Sequence, residues 1–151
     1  MDIGIASLHD PDTRALLAEH QRRMLDASPP GTSFALDLSG LSVREVTVFE
    51  ARGAARLLGV AALKQLDRHC GEVKSMRVAD DALGFGVGLA LLRHLMAVAR
   101  GRGYETLLLE TGTGAPFAAA NALYLRNGFT RRGPFADYVA SEFNIFYECR
   151  L

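Results

Sequence analysis

Leu83-Gly84-Phe85-Gly86-Val87-Gly88-Leu89 sets a glycine at every second position between an extended stretch and a helical one, and the fold follows from how this segment is read. Upstream, Gly71-Glu72-Val73-Lys74-Ser75-Met76-Arg77-Val78 has the alternation of a strand. Downstream, Val87, Leu91, Leu95 and Val98 recur at the spacing of one helix face, which predicts a helix running to about Arg102 and ended by Gly101 and Gly103. Glycine has no Cβ, so such a backbone can approach a ligand closely and turn its N–H groups inward, while the helix start adds the positive end of its dipole. These are the properties of a pyrophosphate cradle. The spacing is not that of GxGxxG, because Leu89 holds the last position, and no GxxxxGK[ST] is present. A tight strand-to-helix turn without a ligand fits the same residues.

Working outward, Asp10-Pro11-Asp12 signals a helix start, and a helix over Pro11 to Asp26 is predicted, with Leu16, Leu17, His20 and Met24 near one stripe. A weakly alternating strand precedes it from Ile3, and Ala27 to Ser33 reads as a loop. Strands are predicted over Val43 to Phe49, with a hairpin turn at Ala51 to Ala54, and over Leu57 to Leu66; with the Gly71–Val78 strand these are expected to be antiparallel neighbours. The apolar run Leu107-Leu108-Leu109 suits a buried strand, Ala115 to Arg126 a second helix, and Asn144 to Glu148 a closing strand, with Arg131-Arg132 in a loop. The order is that of an α/β (α+β) fold with two β–α–β crossovers in its second half, in one domain spanning 1–151.

The 151 residues suit one ordinary domain, and 49% hydrophobic with 23% charged residues is a globular composition. Lys+Arg and Asp+Glu both number 17, a balance that lacks the electrostatic footprint of a binder of nucleic acid or anionic membrane. Neither Cys70 and Cys149 nor the scattered histidines show metal-ligand or disulfide spacing, so no metal is expected and a reducing, cytoplasmic setting is. No signal peptide is legible, and the longest uncharged run in the middle of the chain falls short of the ~18 residues of a membrane span.

The Glu72–Val78 strand, the glycine loop, and Asn121-Ala122-Leu123-Tyr124-Leu125-Arg126-Asn127-Gly128-Phe129 together resemble the GNAT superfamily of acyl-CoA-dependent N-acetyltransferases, in a small stand-alone bacterial branch. The resemblance covers about Leu57 to Phe129. It implies a mixed, mostly antiparallel central sheet of about six to seven strands flanked by helices. It also implies transfer of an acetyl group from acetyl-CoA to a primary amine of a small molecule or amino acid, by direct attack in a ternary complex. In such enzymes the pantetheine arm pairs with the strand before the loop, here Met76, Arg77 and Val78, within a slot where two strands splay apart. The pyrophosphate sits on the amides around Gly84, Gly86, Val87, Gly88 and Leu89.

The resemblance makes Glu72 the candidate general base and Tyr124 the candidate general acid, the one taking the proton of the attacking amine and the other protonating the departing thiolate. Asn121, a turn before Tyr124, is placed against the cofactor or the loop. Glu72 and Lys74 share one face of a central strand, where a charge needs a reason; pairing with each other at a solvated strand end is the other reading. The acceptor cleft is implied to draw on His20, Arg23, Ser33, Phe34, Lys74, Phe135, Tyr138 and Asn144, with a small-molecule amine as partner and a homodimer allowed. One departure stands out. Leu83, Phe85 and Leu89 occupy positions where the family usually carries Gln, Arg or other polar residues, which leaves open a catalytically weakened acyl-CoA-binding or regulatory module.

Overall fold

A computed structural model describes residues 1–33 and 35–151. Among them, seven strands form one sheet: β1 (Asp2–Ile5), β2 (Val46–Gly53), β3 (Arg56–Gln65), β4 (Cys70–Val78), β5 (Thr106–Gly112), β6 (Thr130–Arg132) and β7 (Asn144–Arg150), in the order β1-β2-β3-β4-β5-β7-β6. The helices are α1 (Pro11–Asp26), α2 (Leu38–Leu41), α3 (Val87–Gly101) and α4 (Ala118–Arg126). β1 to β4 pair antiparallel in succession, as the short connections predict, and β4 and β5 pair parallel across α3.

The second half departs from expectation in one respect. The chain leaves α4 through a short strand, β6, at Arg131-Arg132, where a loop was expected. β7 then inserts between β5 and β6, antiparallel to both. A three-residue, fully exposed strand has too little apolar alternation to be read from sequence. The second crossover therefore joins parallel strands that are not neighbours. The hairpin turn also lies further along, at Ala54-Ala55, with positive φ at both positions and none of the usual Asn-Gly signal. The helix expected from Ala115 is divided into a 3-10 turn at Ala115–Phe117 and α4. α2 was not anticipated.

Helix α1 begins as its sequence dictates. Asp10 Oδ1 accepts from the amides of Asp12 at 2.9 Å and Thr13 at 3.1 Å, and Pro11 fills the first turn. Two apolar layers flank the sheet. On one face Leu91, Leu92 and Leu95 of α3 and Tyr124 of α4 pack against Leu63, Val73, Leu107 and Leu109. On the other, Leu16 and Leu17 of α1 and Leu41 of α2 cover Val48, Val60 and Ala62. β4 is thus central in the sheet and covered on both sides. Among the described residues no helix is long and apolar enough to cross a membrane.

Candidate active site

β4 and β5 pair only at Cys70–Thr106, Gly71–Leu107 and Glu72–Leu108, and beyond Glu72 they diverge. The cause lies in β4. Opposite Val60 and Ala62 of β3 stand Arg77 and Lys74, so β4 carries one residue more than its partner across this step. Ser75 takes the extra place with φ of 50°. This is a β-bulge, which bends a strand and re-aims its side chains. Val73, Met76 and Val78 accordingly all pack on the α3 side, which strict alternation would not allow. The β5-facing edge of β4 after Glu72 is left without a strand, an edge to which an extended ligand arm can pair.

A cleft of about 160 Å³ occupies the opening, and Glu72, Lys74, Glu110, Tyr124 and Tyr138 line it. Glu72 is 2% exposed. Tyr138, from the β6–β7 connection, donates to Glu72 Oε2 at 2.5 Å, and Lys74 Nζ donates to the Tyr138 hydroxyl at 2.5 Å and to Glu72 Oε2 at 3.4 Å. The pairing of Glu72 with Lys74 holds, but inside the cleft wall and not at a solvated strand end. Burial, followed by the charge and hydrogen bond of Glu72, pushes the Tyr138 phenol far above its ordinary range, so the hydroxyl keeps its proton.

Glu110 is a site residue that the sequence reading missed. It follows Leu107-Leu108-Leu109 on β5 and shares the Leu108 face, beyond the last pairing with β4. Burial raises its carboxyl from 4.5 to about 7; Lys74 opposes the shift and the charge of Glu72 adds to it. A carboxylate at the end of an apolar strand run was the available signal.

Tyr124 reaches the cleft from α4. It is 6% exposed and packs beside Phe129 and Tyr147 at centroid distances of 5.7 and 6.1 Å. Burial, with a smaller contribution from Tyr147, lifts its phenol to about 12, so it holds a proton at neutral pH. Asn121 is occupied elsewhere: its amide donates to Gly112 O at 3.1 Å and Phe117 O at 3.0 Å, and its Oδ1 accepts from Tyr147 at 2.8 Å. It ties α4 to the end of β5 and does not line the cleft.

In the glycine loop, Gly84 and Gly86 have φ of +81° and +79°, and a Cβ at either would meet nothing within 4 Å. Backbone conformation, not crowding, is what calls for glycine there. Gly88 lacks that need; an added Cβ would lie 3.6 Å from Leu123 and Val78, an ordinary contact. The first bond of α3 runs from Ala90 N to Gly86 O at 3.0 Å, so the amides of Val87, Gly88 and Leu89 precede the helical ladder and face outward for an acceptor. Leu83 and Phe85 are 58% and 80% exposed.

Of the residues expected for the acceptor, His20 and Ser33 line the cleft with Lys74 and Tyr138. His20 is 7% exposed, and burial, then the nearby Arg77 charge, lowers its pKa to about 4, which keeps the ring neutral at physiological pH. Three others are placed differently. Arg23 forms a two-point pair with Asp80 at 3.0 and 2.7 Å and also binds Glu19, strapping α1 to the segment after β4. Phe135 is buried beneath Tyr138, edge-on at 5.0 Å and packed with Leu108 and Phe146, so it supports the cleft without lining it. Asn144 accepts from Ser141 N at 2.9 Å and donates to Val139 O at 3.1 Å, fixing the turn before β7. Phe34 lies outside the described residues.

The model of the acetyltransferase (GNAT) family matches residues 7–129. The chain belongs to the GNAT family. An N-acetyltransferase of Escherichia coli K12, YedL, described as uncharacterized, is 46% identical over 131 residues, covering 87% of this chain and 82% of the relative. A solved structure, the putative acyl-CoA N-acyltransferase of Klebsiella pneumoniae, is 31% identical with a TM-score of 0.80, covering 99% of this chain and 97% of that one. A GNAT acetyltransferase from Elizabethkingia anophelis, solved with acetyl-CoA bound, shares the fold at a TM-score of 0.70 and 17% identity, over 99% and 97% of the two chains. The GNAT assignment bears out the expected fold, a mixed and mostly antiparallel sheet between helices.

Proposed function

We propose that the protein transfers the acetyl group of acetyl-CoA to a primary amine of a small molecule or amino acid, by direct attack within a ternary complex. The observation that carries this reading is the splay of β4 and β5 after Glu72, with carboxylates and Tyr124 lining one cleft. Met76, Arg77 and Val78 offer the free strand edge to the pantetheine arm. Gly84, Gly86, Val87, Gly88 and Leu89 offer backbone amides to the pyrophosphate. The amine nitrogen bonds to the thioester carbonyl carbon, and its surplus proton passes to Glu72, directly or through one water. As the carbon–sulfur bond breaks, the Tyr124 phenol gives its proton to the thiolate, leaving an amide and free CoA. Cys70 has no part in this, since burial raises its thiol and attack is direct.

Glu110 supports a second assignment of the base. Its carboxyl, near 7, is better matched to accepting a proton at neutral pH than a carboxylate already holding two donors. Thiol release by Glu72→Gln, Glu110→Gln and Tyr124→Phe, with acetyl-CoA affinity measured by calorimetry, tests the roles. Turnover is expected to fall about 100-fold or more when the base is lost, with affinity nearly intact. Full turnover in both the Glu72 and Tyr124 variants overturns the roles. No binding at millimolar acetyl-CoA instead supports a regulatory module, the reading that the apolar loop favours.

A further inference from the structure

Three polar side-chain atoms on the α1–β4 wall of the cleft, His20 Nδ1, Ser75 Oγ and Arg77 Nε, are buried with no hydrogen-bond partner among the described residues. His20 and Ser75 are only 7% and 9% exposed. A buried polar group without a partner is costly, and three in one cavity wall indicate a ligand that completes them. Their chemistry is specific. The Arg77 Nε–H is a donor only, the Ser75 hydroxyl donates, and a neutral imidazole donates from one nitrogen. Arg77 is anchored by its Nη2, which donates to Asp80 Oδ1 at 2.9 Å, while its Nε has no partner among the described residues. The bulge centres on Ser75, and Lys74, Ser75 and Arg77 of this stretch all line the cleft.

We propose that these three groups form a carboxylate subsite, and that the acceptor is an amino acid or a similar amine bearing a carboxylate. The cleft is bipolar in the matching sense. Glu72, nearer the start of β4, and Glu110, across the opening on β5, line the same cleft, so an acceptor's ammonium would face carboxyl groups while its carboxylate faces Arg77. Lys74 does not compete for the anion, since its ammonium is held by Glu72 and Tyr138. The proposal rests on the acetyltransferase reading only in giving the bound acid its role as acceptor.

The test compares L-amino acids with their carboxamides, which keep the amine and side chain and lose the charge. Binding is followed through the ring nitrogen signals of His20 in ¹⁵N-histidine-labelled protein, assigned with His20→Gln, and turnover through thiol release from acetyl-CoA. At least one acid is expected to move the His20 signals and to bind about tenfold or more tighter than its amide. That ratio is expected to fall to about twofold in Arg77→Gln and to shrink in Ser75→Ala, which keeps the bulge. Acids and amides that bind alike, a ratio that survives both substitutions, or His20 signals moved by inorganic phosphate and by no acid would each overturn the subsite. Acids that bind with the expected ratio but release no thiol leave the subsite standing and remove the acetyl-transfer reading.

Discussion

Replacing Glu110 by Gln should remove one destabilising, pH-dependent contribution to the stability of this protein. The carboxyl binds its proton more tightly in the folded state, at about 7, than in an unfolded chain, at 4.5. Below pH 4.5 it is protonated in both states and costs nothing. As the pH rises through this window the unfolded chain ionises first, so folding loses free energy until the folded carboxyl has ionised too. The difference corresponds to about 3 kcal/mol at most, and residual solvent around a part-buried side chain brings the expected loss to about 1–3 kcal/mol. Glutamine keeps the shape and hydrogen-bonding capacity without a charge to bury, and the lost attraction to Lys74 is already contained in the net shift. At pH 8 the variant should therefore melt higher than the parent by about 3–10 °C, with the difference vanishing toward pH 4.5. Thermal melts of both proteins at half-unit steps from pH 4.5 to 8 measure it. A difference independent of pH, or a variant less stable at pH 8, would refute the assignment of Glu110 as a carboxylate penalised by burial.

Four further substitutions probe the frame of the site. Tyr138→Phe keeps the stacking on Phe135 but leaves buried Glu72 with Lys74 at 3.4 Å; a loss of about 1–3 kcal/mol in urea unfolding is expected, together with reduced turnover. Gly86→Ala forces a Cβ onto a φ of +79°, at about 1–2 kcal/mol. It should weaken acetyl-CoA binding measured by calorimetry, whereas Gly88→Ala should be tolerated, and equal loss at both positions would contradict the backbone account. Gly112→Ala would place a Cβ 2.4 Å from the Phe117 ring, so a loss of about 1–3 kcal/mol or more in thermal unfolding is expected as the cleft wall shifts.

Local signals carried the parts of this architecture that were legible in advance. The α1 start was written in Asp10-Pro11-Asp12 because capping involves only neighbouring residues. The loop and α3 were legible because the positive φ values at Gly84 and Gly86 have a residue-type signature. Ser75 has none. Its left-handed backbone and the bulge around it are imposed by pairing with β3, and without them the roles of Ser75 and Arg77 in the cleft cannot be read from alternation. Tyr138 was legible only as an aromatic residue near the end of the chain; its bonds to Glu72 and Lys74 span more than sixty positions. Arg23 and Asn144 were assigned to the cleft by element, and each is taken up by a partner that only the tertiary structure supplies, Asp80 in one case and the turn at Val139–Ser141 in the other.

The charge balance of the whole chain recurs in miniature beside the glycine loop. Asp80 and Asp81 directly precede it and would repel a pyrophosphate. Arg23 and Arg77 hold Asp80, and Arg56 holds Asp81, while Arg23 also binds Glu19. The three arginines that reach Asp80 and Asp81 are thus matched by three acids, and this ion-pair group presents little net field toward a phosphate. An anion reaching Gly84 to Leu89 meets backbone dipoles and the exposed side chains of Leu83 and Phe85. The apolar loop is consistent with its surroundings: with these arginines paired to acids, the proposed recognition of a pyrophosphate would rest on amides held in place by the left-handed glycines. Arg77, on the strand proposed for the cofactor, is held through Nη2 by Asp80, and its Nε is left without a partner among the described residues, the contact that the proposed carboxylate subsite would complete.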